Sequence, residues 1–243
     1  MSYYANLLHE REEWSPAALP QEPFRSQEHG VPETIERCLA LALALELPVG
    51  AFIGAATRSD LPVEKAAIDL LKSNIADETR HDRAFNLAAQ VYPVRPAVQE
   101  DANNLRDLWE THPDHTILKA GTLELGVFMV SLGLLRWFGG QSLDRMAAYV
   151  SLDEYRHVNT NWSLIEELEL TPAPTLDPLR KTTLSWLVEK LTFPNQDQAF
   201  WIRQGESLIK DQEAPEMEFL FWNPHISFFE IDNRHLGGYA LES

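Results

Sequence analysis

Two five-residue segments of the chain share the pattern D-E-x-R-H, one at 77–81 and the other at 153–157. About one E-x-x-H match is expected by chance at this length, but two copies that also share the flanking Asp and Arg are expected on the order of once in a million such sequences. Residues three apart on an α-helix lie on the same face, so the Glu and His of each copy can bind one ion together. The repeat therefore predicts two helices that each supply a carboxylate and an imidazole to a metal centre. The four side chains are Glu78, His81, Glu154 and His157.

Two further carboxylates stand in otherwise apolar segments. Glu46 is the acid of LALALELPVG, and Glu124 is the acid of LELGVFMV. An ionisable side chain in such a setting is unfavourable unless a partner compensates its burial. Glu46 precedes Glu78 by 32 residues and Glu124 precedes Glu154 by 30, so the two halves of the chain repeat one order of ligands. A centre with two metal ions needs one carboxylate from each remaining helix, and these two acids meet that need.

The hydrophobic pattern predicts four long helices arranged as two hairpins. Apolar residues recur at helical spacing over 33–58, 62–91, 114–138 and 142–168. Short turns join the first helix to the second and the third to the fourth, and a polar connection over 97–114, with room for a short helix, joins the two pairs. This order is typical of a four-helix bundle with one long crossover. Strand-type alternation is nearly absent, so we expect an all-α protein.

The other segments are expected to lie around this bundle in a single domain over 1–243. Residues 1–32 carry four prolines and are expected to form an irregular arm. Residues 169–243 are expected to form a C-terminal extension with weaker helices at 176–191 and 196–212, followed by an aromatic-rich tail of unassigned structure. The metal-binding bundle itself would span 33–168.

Individual residues predict where the helices bend, begin and end. Pro48 is expected to kink the first helix, because it removes one backbone hydrogen bond. Pro62 suits the first turn of the second helix. The Gly139-Gly140 pair is expected to end the third helix, and Ser142 is expected to cap the fourth.

The composition restricts the class of partner. Lys and Arg number 20 against 37 Asp and Glu, giving a formal net charge of −17 at pH 7, which disfavours nucleic acid or an anionic membrane as the main partner. Cys38 is the single cysteine, so neither a disulfide framework nor a thiolate metal site is expected. The first residues, MSYYANLLHEREEW, show no basic region followed by an apolar stretch, so no signal peptide is predicted. We expect a cytoplasmic protein.

The order E…D-E-x-x-H…E…D-E-x-x-H resembles that of the ferritin-like di-iron carboxylate superfamily, which includes the ribonucleotide reductase small subunit and several di-iron oxygenases. The resemblance covers roughly residues 33–168 and implies a ferritin-like four-helix bundle with one long crossover. It also implies two bound metal ions, either two irons or one manganese and one iron. The six implied metal ligands are Glu46, Glu78, His81, Glu124, Glu154 and His157.

The resemblance implies roles for individual side chains. Glu78 and Glu154, or one of them with Glu124, would bridge the two ions and take part in catalysis. Asp77 and Asp153 match positions that orient the histidine of the opposite helix.

Three activities are compatible with this pattern. The first, which we favour, is a non-haem di-iron oxidase or oxygenase that uses dioxygen and an electron donor such as a ferredoxin to oxidise a small organic substrate, in a homodimer. The second is a radical-generating subunit, but Phe85 occupies the place where that family commonly carries a radical tyrosine; Phe85 and Ile75 are instead expected to line a pocket. The third is a ferroxidase or iron-binding protein, which the long C-terminal extension disfavours.

Less specific interpretations of the same residues stay open. A Glu and a His three apart are often a solvated pair on an exposed helix face. Glu46 could be a helix-end acid before Pro48. The small residues near the ligands, among them Gly50 and Gly54, suit either a cavity or close helix packing.

Overall fold

Every regular element in the described residues, 2–9 and 14–210 of the computed structural model, is helical, which confirms the all-α class. The elements are α1 (Tyr3–His9), α2 (Val31–Arg58), α3 (Lys65–Val91), α4 (Pro96–Thr111), α5 (Thr116–Leu123), a π-helical turn (Glu124–Phe128), α6 (Met129–Phe138), α7 (Gly140–Glu167), α8 (Leu176–Val188) and α9 (Gln198–Lys210).

Two pairs of long helices enclose the core. Helix α2 packs against α3, and the run from α5 through α6 packs against α7. The pairs meet where α2 contacts α5 and α6 and where α3 contacts α7. Their shared interior is apolar and closed to solvent, with Leu45, Ile53, Leu135 and Val150 all at 0% exposure. Burial of these faces holds the helices together, as in other helical bundles.

Two of the core segments are long and apolar enough to cross a membrane by length and composition alone. They are Val31–Arg58 and Thr116–Phe138, and their most apolar stretches are 72% and 94% buried inside the protein. Their hydropathy is therefore accounted for by their place in the core. Each segment also carries one of the buried acids, Glu46 or Glu124.

The N-terminal arm contains a helix that the sequence interpretation missed. Tyr3–His9 forms α1, whereas 1–32 was expected to be irregular throughout. Tyr4 and Leu7 are buried, and the Tyr4 hydroxyl donates a hydrogen bond to Glu167 Oε2 at 2.8 Å. A helix this short is marginal alone, so these contacts stabilise it.

Two helix boundaries also differ from the expected ones. Helix α3 begins at Lys65 rather than at Pro62, because the backbone amides of Leu61 and Val63 make tight local bonds to the carbonyls two residues before them. Helix α7 begins directly at Gly140, so the glycine pair is a brief break. Ser142 is not its cap: the Ser142 backbone N–H donates to Glu22 Oε2 at 2.9 Å, so an arm residue caps the helix.

The connection and the extension close one side of the bundle. The expected short helix in the connection is α4, which packs on α2, and the Trp109 indole donates to Thr183 Oγ1 of α8 at 3.0 Å. Helix α9 lies against the π-helical turn so closely that a Cβ at Gly205 would be 2.9 Å from the Gly126 carbonyl oxygen. The helix predicted at 176–191 is α8, which ends three residues earlier, and the helix predicted at 196–212 is α9; residues 211–243, including the aromatic tail, lie outside the described residues.

Candidate metal centre

Six ionisable side chains from four segments of the bundle meet in its interior. Helix α2 supplies one, α3 and α7 supply two each, and the sixth opens the π-helical turn. None is more than 2% exposed. They are Glu46, Glu78, His81, Glu124, Glu154 and His157.

One half of the cluster surrounds the Nδ1 atom of His81. Glu154 Oε1 lies 3.2 Å from this nitrogen, Glu46 Oε2 3.3 Å and Glu78 Oε2 3.8 Å. Ligand atoms of these four residues all lie within 4.8 Å of one another. One cation placed among them would have a nitrogen and three carboxylate groups as neighbours.

The other half surrounds His157 Nδ1 in the same way. Glu78 Oε1 lies 3.0 Å from this nitrogen, Glu154 Oε2 3.7 Å and Glu124 Oε1 3.8 Å. Ligand atoms of these four residues also lie within 4.8 Å of one another.

Glu78 and Glu154 belong to both halves, and each divides its two oxygens between them. Glu78 directs Oε2 to His81 and Oε1 to His157, while Glu154 directs Oε1 to His81 and Oε2 to His157. The imidazole rings themselves are 5.7 Å apart, centre to centre. Carboxylates in this position are able to bridge two cations that lie side by side.

Hydrogen bonding within the cluster is incomplete. Within the described part of the chain, eight buried nitrogen and oxygen atoms of these six side chains have no hydrogen-bond partner. Both carboxylate oxygens of Glu78 and of Glu154 are among them, as are the Nδ1 atoms of both histidines. Buried polar atoms without partners are rare and costly. A pair of divalent cations would satisfy these atoms and neutralise the four carboxylates, so the donor set fits a metal centre.

The aspartates of the two motifs hold the histidines across the bundle. His81 Nε2 lies 3.2 Å from Asp153 Oδ2, and His157 Nε2 lies 3.3 Å from Asp77 Oδ2. An ionised carboxylate at Nε2 favours the tautomer with its proton there, which leaves Nδ1 as the free electron pair facing the cluster. Each motif thus orients the imidazole of the other.

Two arginines balance these aspartates. The Arg80 guanidinium donates to Asp153 Oδ2 at 2.7 Å and also to Asp77 Oδ1, and Arg156 pairs with Asp153 Oδ1. Burial opposes ionisation of Asp153, but His81 and Arg80 outweigh it and hold the pKa of Asp153 well below its usual range.

Trp14, on the arm, is part of the same network, and no motif in the sequence indicates it. Its indole donates to Asp153 Oδ2 at 2.7 Å, and its ring stacks on Tyr149 at 5.6 Å between centres. The Arg80 guanidinium lies 5.1 Å from the ring centre. Only the folded position of the arm reveals this contact, because the two residues are 139 positions apart.

The charges of the cluster are strongly interdependent. Burial raises the pKa of Glu46 and of Glu124 well above the usual range, and burial with the Glu78 charge raises that of Glu154. Glu78 is the exception, because its contacts with His157 and His81 outweigh its burial and lower its pKa to about 2. Burial would lower the pKa of His81, but contacts with Asp153, Glu154 and Glu46 outweigh it and raise that pKa well above the usual range. Contacts with Asp77 and Glu78 likewise outweigh burial and raise the pKa of His157. Without a cation, therefore, protons compensate the clustered carboxylates.

Glycines and one amide set the distances between the ligand helices. A Cβ at Gly50 would be 3.2 Å from Glu78 Cβ, and one at Gly121 would be 3.3 Å from Asn161 Cβ. The close approach at Gly121 brings the Asn161 amide to Glu124 Oε2, to which it donates at 2.5 Å. Glu124 is thereby left with Oε1 for the cluster. Sequence reasoning missed Asn161, which lies four residues after His157 and so on the same helix face.

The two expected pocket residues lie in different places. Ile75 lines a surface groove between α2 and α3 that reaches Glu78. Phe85 lies one turn after His81 and is 1% exposed within the apolar core.

A comparison with models of known protein families matches none, and searches against curated proteins and solved structures find no significant similarity.

Proposed function

We propose that the six-residue cluster binds two iron ions and that the protein is a non-haem di-iron oxidase or oxygenase, which uses dioxygen to oxidise a small organic substrate. The observation that carries the proposal is the pair of shared carboxylates, Glu78 and Glu154, which each offer one unpartnered oxygen to each imidazole. A cluster that served only to stabilise the fold would have its buried acceptors hydrogen-bonded. The proposal includes a ferritin-like bundle, with α2–α3 and α5–α7 as its hairpins and α4 in the crossover.

The side chains of this centre would bind, orient and exclude water. Glu46 and His81 would hold one ion, and Glu124 and His157 would hold the other. Glu78 and Glu154 would each contribute to both ions. When bound, two ferrous ions would supply the electrons that reduce dioxygen. Burial of every ligand to 2% exposure or less keeps bulk water away, so electrostatic interactions inside the site are strong.

Nitrogen and oxygen ligands suit iron and manganese alike, so a mixed manganese–iron centre belongs to the same proposal. Turnover would require an external electron donor, for which a ferredoxin-type protein is the class we propose. We further propose a cytoplasmic homodimer, in which the exposed parts of the bundle helices provide the contact.

The test begins with metal analysis of full-length protein purified without added metal. After anaerobic addition of ferrous ion, we expect two ions per chain and, on exposure to air, the absorbance of an oxo-bridged diferric centre. Glu78→Ala removes a carboxylate that belongs to both halves and should lose tight iron binding, whereas His157→Ala should bind about one ion per chain. His112→Ala, which changes a histidine outside the cluster, should retain two ions. Wild-type iron content in both cluster variants would refute the site.

A ferroxidase or storage protein is the main competing activity, and a radical-generating subunit is the other. Iron uptake far beyond two ions per chain, with a large shell on size-exclusion chromatography, would establish storage instead. A stable organic radical after oxygen exposure, detected by electron paramagnetic resonance, would favour the radical subunit. Oxygen consumption that depends on an organic substrate would support the oxygenase.

A further inference from the structure

A groove of about 320 Å³ opens on the surface between α2 and α3, and Glu78, one of the six cluster residues, lines its inner end. Leu47, at 52% exposure, lies at its outer edge, and Glu78, at 1% exposure, forms part of its lining. Glu78 is one of the two cluster carboxylates whose oxygens both lack a hydrogen-bond partner. The groove ends at the stem of a cluster side chain whose carboxylate oxygens stay closed to solvent, so it adjoins the candidate metal centre without opening it to water.

Bare backbone forms the floor of the groove. A Cβ at Gly54 would lie 3.3 Å from Arg58 Nη1 and 3.7 Å from Ile75 Cδ1, so any side chain there would occupy the space between those two walls. At Gly50 a Cβ would touch the stem of Glu78. The two glycines are one helical turn apart, and their lack of side chains lets Glu78, Ile75 and the Arg58 guanidinium lie close to the α2 backbone along the groove.

Arg58 is the one cation among the residues that line this groove. The Gly54 distance shows that its guanidinium folds back over the groove floor. No described carboxylate lies within ion-pair distance of Arg58, although the chain carries a net charge of −17. Gly50 contacts the stem of Glu78, and Gly54 lies four residues, or about 6 Å along the helix axis, from Gly50. The guanidinium therefore lies about one helical turn from the cluster.

We propose that this groove binds a small organic carboxylate, whose charged group pairs with Arg58 and whose apolar part lies over Gly54 and Gly50 towards Glu78. A guanidinium binds a carboxylate by two parallel hydrogen bonds, and Ile75 and Ala51 offer an apolar wall. This inference rests on the proposed function when the bound molecule is taken as the substrate to be oxidised. Binding of the carboxylate requires only the groove and Arg58, and does not depend on the metal centre.

Benzoate is a suitable probe, because it joins a carboxylate to a compact apolar ring. Its affinity is to be measured by ligand-observed NMR and calorimetry on the full-length protein, both metal-free and iron-loaded, with benzyl alcohol and inorganic phosphate for comparison. We expect Arg58→Gln to weaken benzoate binding about tenfold or more. Ala51→Trp, at an exposed position, should fill the groove and abolish binding. Arg83→Gln, an exposed arginine on α3 away from the groove, should leave it unchanged.

Three results would overturn the inference. They are the absence of benzoate binding to the wild type, wild-type benzoate affinity in Arg58→Gln, and displacement of benzoate by phosphate at equal concentration, which would show a site for anions in general. The iron content of each variant separates this inference from the proposed function. Benzoate binding that depends on Arg58 in a protein unable to hold iron would keep the groove and refute the di-iron proposal. Two irons per chain without benzoate binding would support the di-iron proposal and refute the groove as a carboxylate site.

Discussion

Replacing Glu154 by leucine should make the metal-free protein more stable while removing its response to metal. Glu154 is 0% exposed, and neither of its carboxylate oxygens has a hydrogen-bond partner. Its pKa is raised by burial and by the Glu78 charge, which favours the neutral acid in the metal-free state. Leucine has a similar size and removes both unsatisfied oxygens.

The expected gain equals the cost of a buried neutral polar group that lacks hydrogen bonds, which is about 1–3 kcal/mol. In a chain of this length that gain corresponds to a rise in Tm of roughly 2–12 °C. The wild-type protein, with ferrous ion at about 100 times its Kd, should gain about 2.7 kcal/mol, or roughly 5–11 °C. Glu154→Leu should show almost none of that metal-dependent shift, because Glu154 contributes an oxygen to each half of the cluster.

Differential scanning calorimetry of the metal-free and anaerobically iron-loaded proteins measures both effects. Glu166→Leu changes an exposed glutamate on the same helix and should behave as the wild type in both states. A metal-free Glu154→Leu protein that is less stable by about 3–5 kcal/mol would mean that this carboxylate is needed as a buried ion-pair partner. That result, or a retained metal shift, would refute the reasoning.

Three further outcomes are expected. His81→Ala should bind about one ion per chain instead of two, measured by metal analysis after gel filtration, because Glu124 and the other imidazole keep the second half intact; loss of both ions would contradict two separable halves. Asp153→Asn should weaken iron binding about 10–100-fold in a competition titration with a chelator, and an unchanged Kd would show that orienting His81 contributes nothing. The pKa of Glu36 is lowered because hydrogen bonds from Arg95 outweigh its burial, so its contribution to stability is complete above its unfolded pKa of about 4.3 and is lost as the pH falls through the lower folded pKa. The midpoints of urea unfolding between pH 3 and 7 should therefore fall less on acidification in Glu36→Gln than in the wild type.

The long helices could be predicted from the sequence because their information is local. Apolar residues at helical spacing predicted α2, α3 and α7 within a few residues of their ends. The six residues of the cluster were also predictable, since a repeated motif and two acids in apolar segments are visible without any knowledge of the packing. What the sequence predicts about metal binding and chemistry stays a proposal.

Features that depend on distant contacts could not be predicted in this way. Helix α1 exists because Tyr4 reaches Glu167, and the cap of α7 comes from Glu22, about 120 residues earlier. The π-helical turn is another case: residues 114–138 were expected as one regular helix, but the Met129 backbone N–H bonds to the Glu124 carbonyl oxygen with one residue more than an α-helix allows. The residues LELGVF contain no pattern that predicts the extra residue of this turn. The close contact between the turn, at the Gly126 carbonyl, and Gly205 of α9 is formed only in the folded chain.

The contacts explain why the motif has the form D-E-x-R-H and why it occurs twice. The aspartate of each copy orients the histidine of the other copy, so neither copy could place its own imidazole alone. Each glutamate faces both imidazoles, and Arg80 joins the aspartates of the two helices. The one position that differs between the copies, Thr79 or Tyr155, is exposed on both helices. The Asp, Glu and His of each copy, together with Arg80, therefore have partners across the bundle, whereas Arg156 pairs with Asp153 of its own helix. Such cross-bundle pairing is expected of two helices that present one site, and is not expected of two solvated helix faces that happen to share a sequence.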